Sequence, residues 1–285
     1  MVKRSNLSGT SPLGRFLNLI LIFLNGFALC MILNLHINAS YEERLFRSVK
    51  ESVDCQLDAD DTPDSAVVKA MHTCYRLMHD RAAFFSDATK WGDGIGFIRP
   101  AWVDFMTTCG SCGSYAIVLA RVLKEYKHVV RIAQMRVNGV SGGHIVVEVN
   151  TGAYWVVLDP AFDCFFIRPD NRLASFADVS RNWGYYSTQT PGGYDMRYRY
   201  EGVRYTNWTK IPILLPLARI FLRLFLGQEK TDQISLRTWF LNIYNVYFCL
   251  ALSCYLFLLA LTLKLKYMPP KNRRTVFALI RPGRK

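Results

Sequence analysis

The sequence predicts an α+β domain enclosed between two transmembrane helices. The first observation is a pair of uncharged apolar runs, Phe16–Leu35 and Thr238–Leu263, since about 20 apolar helical residues cross a bilayer core. The second is the order of patterns between these runs, where one helical pattern is followed by three consecutive strand patterns. A helix followed by neighbouring strands indicates an antiparallel sheet rather than alternating βαβ units.

The charge distribution predicts the orientation of the spans. The formal net charge is +13, and it lies almost wholly in residues 1–15 and 264–285, which contain no acidic residue. Because cytoplasmic flanks carry excess Lys and Arg, both termini are expected to be cytoplasmic and the intervening domain extracytoplasmic, periplasmic or extracellular. Basic charge confined to two tails does not indicate a nucleic-acid partner. The expected contact is with membrane lipid.

The domain organisation follows from these patterns. We expect a basic tail at 1–15, a span at 16–35, a stalk at 36–60, a domain at 61–205, an amphipathic helix at 211–227, a second span at 238–263 and a basic tail at 264–285. A cleaved signal peptide is the alternative for the first span, but its apolar run exceeds the usual 7–15 residues. Arg219 and Arg223 in the middle of 211–227 argue against a third span and favour an interfacial helix. A helix that packs on the domain is the alternative.

The domain begins with a helix. Asp61-Thr62-Pro63-Asp64 supplies a capping side chain, a proline for the first turn and an acid near the positive helix end. Apolar residues recur at helical spacing behind it, which predicts a helix that reaches Phe85.

A second helix is predicted from Cys112, followed by strands at Val129–Val137, His144–Val149 and Tyr154–Leu158. Asn138-Gly139 provides the first turn. If Thr151-Gly152 forms a two-residue second turn, His144 stands directly across from Asp159, with β-carbons about 4.5–5.5 Å apart.

The eight cysteines do not form a pattern typical of a secreted disulfide scaffold. Cys30, Cys249 and Cys254 lie in the apolar runs, where a thiol behaves as a small hydrophobe. The remaining five are an odd number, so at least one is free or pairs between molecules. A Cys55–Cys74 bridge is compatible with the sequence.

Cys112, His144 and Asp159 are the candidate catalytic residues. A thiolate is a strong nucleophile, and a helix N-terminus or a nearby imidazolium lowers a thiol's pKa. A histidine can act as base and then as acid, and a carboxylate fixes its tautomer and orientation. The three residue types occur in that order within fifty residues.

Gly110-x-Cys112 at a helix start, His144 in a strand and Leu158-Asp159-Pro160 together resemble the core of the transglutaminase-like superfamily. The resemblance implies a papain-like α+β core and acyl transfer or hydrolysis of amide or peptide bonds through a thioester. Cys112 would be the nucleophile, His144 the general acid and base, and Asp159 its orienter. The expected substrate is a peptide, protein or envelope-polymer amide, and no cofactor or metal is expected.

The oxyanion hole is incomplete in the sequence. The Cys112 N–H at the positive end of its helix is one expected donor. Papain-like enzymes carry a glutamine six residues before the nucleophile, where this chain has Met106. Trp102 or Trp91 is a loose match to an upstream tryptophan in animal transglutaminases.

Other interpretations remain open. Cys109-Gly110-Ser111-Cys112 is a Cys-x-x-Cys motif, typical of thiol–disulfide exchange, and its two thiols can also pair to silence the nucleophile. A zinc site at Cys109, Cys112 and His144 lacks a second Cys/His pair. A catalytically silent module that binds a ligand or assembles a membrane complex is the alternative from another functional class.

Overall fold

The computed structural model describes residues 12–81 and 99–267. The chain divides into two compact units, one formed by Met1–Ala39 with Tyr244–Lys285 and the other by Ser40–Ile243. Helix α1 (Pro12–Asp54) begins in the first unit and continues into the second. The second unit contains a mixed helical and antiparallel-sheet domain that holds all three candidate catalytic residues.

Among the residues that the structure describes, two helices are long and apolar enough to cross a membrane, which is consistent with a membrane location. They are α1 and the last described helix (Ile243–Tyr267). Helix α1 runs through both the expected span and most of the expected stalk without a break. The second apolar helix starts at Ile243, later than the expected Thr238, because the buried Thr238 hydroxyl instead donates to the Ser235 carbonyl within a 3₁₀ turn.

Within the described residues of the domain, three helices precede the strands. Helices α2 (Pro63–Met78), α3 (Ala101–Thr107) and α4 (Cys112–Glu125) are followed by strands β1 (Val129–Val137), β2 (Val140–Asn150), β3 (Trp155–Asp159) and β4 (Cys164–Phe165). After them come α5 (Phe176–Arg181), α6 (Trp183–Tyr186), a 3₁₀ turn (Ser187–Gln189), β5 (Val203–Arg204), α7 (Leu214–Leu226), α8 (Gln228–Asp232) and a 3₁₀ turn (Leu236–Trp239). Helix α9 is Ile243–Tyr267.

The five strands form one antiparallel sheet in the order β4-β3-β2-β1-β5. Alternate side chains of the strands enter different hydrophobic clusters, as the period of two requires. Ile132 and Val147 join the cluster that contains α2, α4 and the end of α1. Ala133 and Val146 join a second cluster rich in aromatic residues from 162–205. Both faces of the sheet are therefore covered.

The predicted cap of α2 is confirmed. The Thr62 hydroxyl accepts from the Ser65 N–H at 3.2 Å, and Pro63 occupies the first turn. The apolar face of α2 is buried, including Cys74 and Met78. The helix ends at Met78, and Phe85, where we expected its end, lies outside the described residues.

The predicted register of the β2–β3 hairpin was wrong. Val147 pairs with Leu158 and Val149 with Val156, so four residues rather than two form the loop. The Asn150 side chain accepts from the Gly152 N–H at 2.8 Å, and the Tyr154 hydroxyl bonds to Asp64, which keeps Tyr154 out of β3. A shift of two residues preserves which face each side chain occupies, so His144 lies diagonal to Asp159 rather than opposite it.

The β1–β2 hairpin turns at Asn138-Gly139, as predicted, with both residues at positive φ. The pairing then shifts between Met135 and Arg136, because Met135 pairs with His144 whereas Arg136 pairs with Ser141. Gly142 and Gly143 are thus extra residues in β2. This bulge directly precedes the candidate histidine, and bulges commonly re-aim a neighbouring side chain.

The cysteines are all free thiols. Cys74 is fully buried in the core, whereas Cys55 is exposed. The Cys55–Cys74 bridge that the sequence allowed is therefore absent, because the α2 periodicity turns Cys74 inward to pack with apolar neighbours.

Candidate active site

Cys112 is the first residue of α4, and the chain enters that helix through a constrained turn. Thr108 and Ser111 both have positive φ, at 50° and 47°. Such a conformation is unfavourable for a residue with a β-carbon and is found mostly where surrounding structure enforces it, often at functional sites. The turn presents the Cys112 thiol, which is partly exposed, at the helix N-terminus.

A buried polar network holds this turn in place. Asp104 of α3 is completely buried and accepts from the Ser114 hydroxyl at 2.6 Å. The Ser114 oxygen in turn accepts from the Gly110 N–H at 2.8 Å, and Arg99 forms an ion pair with Asp104. Burial raises the pKa of the Asp104 carboxyl, against the hydrogen bonds from Ser114 and Arg99. The network ties α3, the turn and α4 together around the thiol.

His144 and Asp159 form a buried hydrogen-bonded pair. The His144 Nε2 lies 2.7 Å from Asp159 Oδ2. Because an ionised carboxylate only accepts hydrogen bonds, Nε2 carries the proton that it donates. The hydroxyl of Tyr194 also donates to Asp159 Oδ2 at 3.1 Å, and the Ala161 N–H donates to Oδ1 at 3.3 Å. These contacts fix the carboxylate and hence the ring.

Aromatic side chains cover the imidazole. Tyr198 stacks on the His144 ring with 4.1 Å between centroids and 5° between planes. Phe162 meets the ring edge-on at 5.7 Å. Phe162, Tyr194 and Tyr198 were not among the site residues that the sequence indicated. Their only signal was the aromatic-rich composition of 160–205, which does not say which ring packs where.

The second imidazole nitrogen, Nδ1, is available to interact with the Cys112 thiol. His144 Nδ1 is buried, and no group among the described residues lies in hydrogen-bonding geometry with it. Burial alone would lower the pKa of His144. The charge and hydrogen bond of Asp159, together with the nearby Cys112 thiol, raise the His144 pKa to about 9. At neutral pH the ring is therefore cationic and faces a potential thiolate.

The oxyanion donors are only partly accounted for. The N–H groups of Gly113 and Ser114 bond back to the Gly110 and Ser111 carbonyls, whereas the Cys112 N–H makes no backbone hydrogen bond in the described residues. Met106 is partly exposed on α3 and offers no donor. The Trp102 backbone N–H donates to Glu42 Oε2 at 3.3 Å, and Trp91 lies outside the described residues.

The zinc alternative finds no support in the described part of the chain, where no group of three or more His, Cys, Asp or Glu side chains is arranged to hold a metal ion. Cys109 lies within the turn and is partly buried, and its backbone N–H donates to the Thr107 hydroxyl oxygen at 3.3 Å.

Comparison with protein-family models, curated proteins and solved structures finds no match to this chain. Its functional interpretation therefore rests on the geometry of the site. That geometry joins a thiol at a helix start, a cationic imidazole and a carboxylate, with the imidazole between the other two.

Proposed function

We propose that the chain is a membrane-anchored, transglutaminase-like cysteine enzyme with a papain-like core, which performs acyl transfer or hydrolysis on amide or peptide bonds. The observation that carries this proposal is the buried His144–Asp159 pair, whose second ring nitrogen is left for Cys112. Burying an imidazole and a carboxylate is costly. The need to orient and protonate an imidazole beside a thiol accounts for the burial of the imidazole and the carboxylate together.

The first half of the reaction forms the thioester. The Cys112 thiolate attacks the amide carbonyl carbon, a C–S bond forms, and the oxygen becomes an oxyanion that accepts from the Cys112 N–H. As the C–N bond breaks, His144 gives its Nδ1 proton to the leaving nitrogen. An amine or ammonia departs, and the acyl group stays on sulfur.

The second half releases the acyl group. Water or a second amine attacks the thioester carbon and transfers its proton to His144 Nδ1, and the C–S bond breaks to restore the thiolate. Asp159 keeps its hydrogen bond to Nε2 throughout and stabilises the imidazolium. The proposed substrate is a peptide, protein or envelope-polymer amide that reaches the domain outside the cytoplasm.

Trapping the thioester tests this proposal. The full-length protein in lipid nanodiscs is mixed with a library of N-acyl-peptidyl coumarin amides. The reaction is quenched in acid, and the mass of the intact protein is measured by mass spectrometry. We expect an added acyl mass that neutral hydroxylamine removes and that is absent from Cys112→Ala. The matched control is Cys109→Ala, which removes a neighbouring thiol and should retain the adduct. An adduct that persists in Cys112→Ala contradicts the proposal.

A catalytically silent binding or assembly module is the second candidate. One observation favours it: Met106 stands where papain-like enzymes place a second oxyanion donor, and it donates nothing. This candidate predicts that ligand binding occurs without any acyl mass on Cys112, and that His144→Ala leaves that binding unchanged.

A further inference from the structure

A cavity of about 560 Å³ lies inside the domain. Its volume falls within the range of about 300–1,000 Å³ that is typical of small-molecule sites. Much of its wall is apolar and comes from the segment around α7 and the following 3₁₀ turn: Ile211, Leu214, Leu215, Ala218, Leu236 and Phe240.

The same cavity is positively charged. Its described lining residues include Arg204, Lys210 and Arg237 and no Asp or Glu. Arg204 is fixed, because its Nε donates to Gln134 Oε1 at 2.9 Å and its Nη2 donates to the Ser141 carbonyl at 3.1 Å. Burial and the neighbouring charge of Arg237 lower the pKa of Lys210, so the cations are close enough to repel one another.

The cavity borders the start of α4, and Cys112, His144 and Asp159 are not among its described lining residues. Ile145 lines the cavity from the sheet face opposite to that of His144, because successive strand residues point to opposite faces. A β-carbon placed on Gly113 would lie 3.5 Å from Ile145 Cδ1, so this wall touches the residue after Cys112. The charges of Cys112 and Asp104 act on Arg237, partly opposing the burial that lowers the pKa of Arg237. One cation of the cavity therefore stands in the electrostatic range of the thiol.

The cavity is also continuous with exposed apolar surface. Leu214 and Trp239 line it and are nevertheless 63% and 58% exposed. On the adjoining face of α7, Leu217, Phe221 and Leu224 are exposed at helical spacing. Such an amphipathic helix is typical of one that lies in a membrane interface.

We propose that this cavity binds the substrate of Cys112 and that the substrate is a lipid-like amide, with one acyl chain and an anionic group close to the amide bond. The apolar wall accommodates the chain, and Arg204 and Arg237 bind the anion. This inference rests on the proposed function, because it names the substrate class of that same site. It also gives α7 a role, since an acyl chain can enter from the membrane interface along its apolar face.

Binding to full-length Cys112→Ala protein in nanodiscs tests the inference without requiring catalysis. The probes are N-dodecanoylglycine, its uncharged primary amide and N-acetylglycine, with empty nanodiscs to subtract partition into lipid. We expect N-dodecanoylglycine to bind at least about tenfold more tightly than either other probe, since both charge and chain contribute. Equal affinity for the charged and uncharged probes, or for the long and short chains, overturns the inference.

Two variants in the Cys112→Ala background test the two halves of the cavity. Arg237→Gln removes a cation and should weaken N-dodecanoylglycine about tenfold. Ala218→Trp fills the apolar part from a helix that has no buried residue of its own, so it should block the chain and leave the fold intact. Arg172→Gln, which removes an exposed arginine paired with Asp170, is the matched control and should change nothing.

The outcomes separate this inference from the proposed function. Suppose that Cys112 forms an acyl-thioester but that neither Arg237→Gln nor Ala218→Trp changes the affinity for the probe. This result overturns the inference and leaves the enzyme proposal standing. Selective binding that both variants abolish, without a thioester from any amide, supports the cavity as a ligand site and contradicts the enzyme proposal.

Discussion

At the residue scale, the protonation of His144 is set by its neighbours. Asp159 and the Cys112 thiol raise the pKa of His144 to about 9 despite its burial. A raised pKa means that the ring keeps its proton up to that pH. The cation's contribution to stability is thus complete below about pH 6.5, the ordinary histidine value, and is lost as the pH rises through about 9.

The pH profile of activity should report this shift. Because the leaving nitrogen takes its proton from His144, kcat/KM for a reactive coumarin amide should fall above about pH 9. Asp159→Asn removes a main cause of the raised pKa, so the alkaline limb should move to lower pH and the rate at neutral pH should drop about 10²-fold or more.

Asp170→Asn is the control for that profile, since Asp170 is partly exposed and pairs with Arg172. It should leave the alkaline limb in place. An unchanged limb in Asp159→Asn would contradict the assigned role of the carboxylate.

The turn before Cys112 stores conformational strain at Ser111. With φ at 47°, Ser111→Gly should raise the free energy of unfolding by about 1 kcal/mol, because glycine adopts this region without a β-carbon clash. Thermal unfolding in detergent measures the change. Ser180→Gly, in the exposed part of α5, should instead lower stability by about 0.5 kcal/mol. A loss of stability in Ser111→Gly would show that the turn is not strained.

The sequence indicated the three candidate catalytic residues, which the structure brings together, but not the residues that support them. Cys112, His144 and Asp159 carry their signal locally, in a helix start and two strand ends. Asp104, Tyr194 and Tyr198 act through contacts with residues distant in the chain, and no short pattern encodes such contacts. An aspartate within α3 has the same local signature whether it is buried or solvated.

At the element scale, the β1–β2 bulge aims the histidine. A β-carbon on Gly143 would lie 2.7 Å from the Val137 β-carbon, closer than real side chains approach. Gly143→Ala should therefore cost about 1–3 kcal/mol of stability and displace His144 from Asp159. Chemical denaturation and the Cys112 alkylation rate at neutral pH measure the two effects.

Gly192→Ala is the control for the bulge, because a β-carbon there meets nothing within 4 Å. It should change stability by no more than about 0.5 kcal/mol. If Gly143→Ala behaves like Gly192→Ala, the close approach at the bulge does not constrain the site.

The strands themselves were predictable, and their pairing was not fully so. Alternating apolar residues and Asn138-Gly139 predicted β1 and its turn correctly. The second hairpin failed at its loop, because the Asn150 side chain and the Tyr154–Asp64 bond select four loop residues instead of two. The second of these contacts joins residues far apart in sequence, so hairpin statistics alone do not reveal it.

At the scale of the whole molecule, the two long apolar helices and the basic tails predict a domain outside the cytoplasm. Cys55 is an exposed thiol in that domain and serves as a native reporter. A membrane-impermeant maleimide should label it in intact cells and should fail to label Cys55→Ser at that position. Asn272→Cys in the C-terminal tail should react only after permeabilisation. Labelling of Asn272→Cys in intact cells would reverse the proposed orientation.

The most direct test of the account is the rate of Cys112 alkylation by iodoacetamide at neutral pH in the full-length protein, compared with His144→Ala, with alkylated residues assigned by peptide mass. We expect Cys112 to be alkylated much faster than Cys109 at neutral pH, and we expect His144→Ala to abolish this difference without changing the rate at Cys109. Ordinary thiol reactivity of Cys112 in both proteins would contradict a working nucleophile.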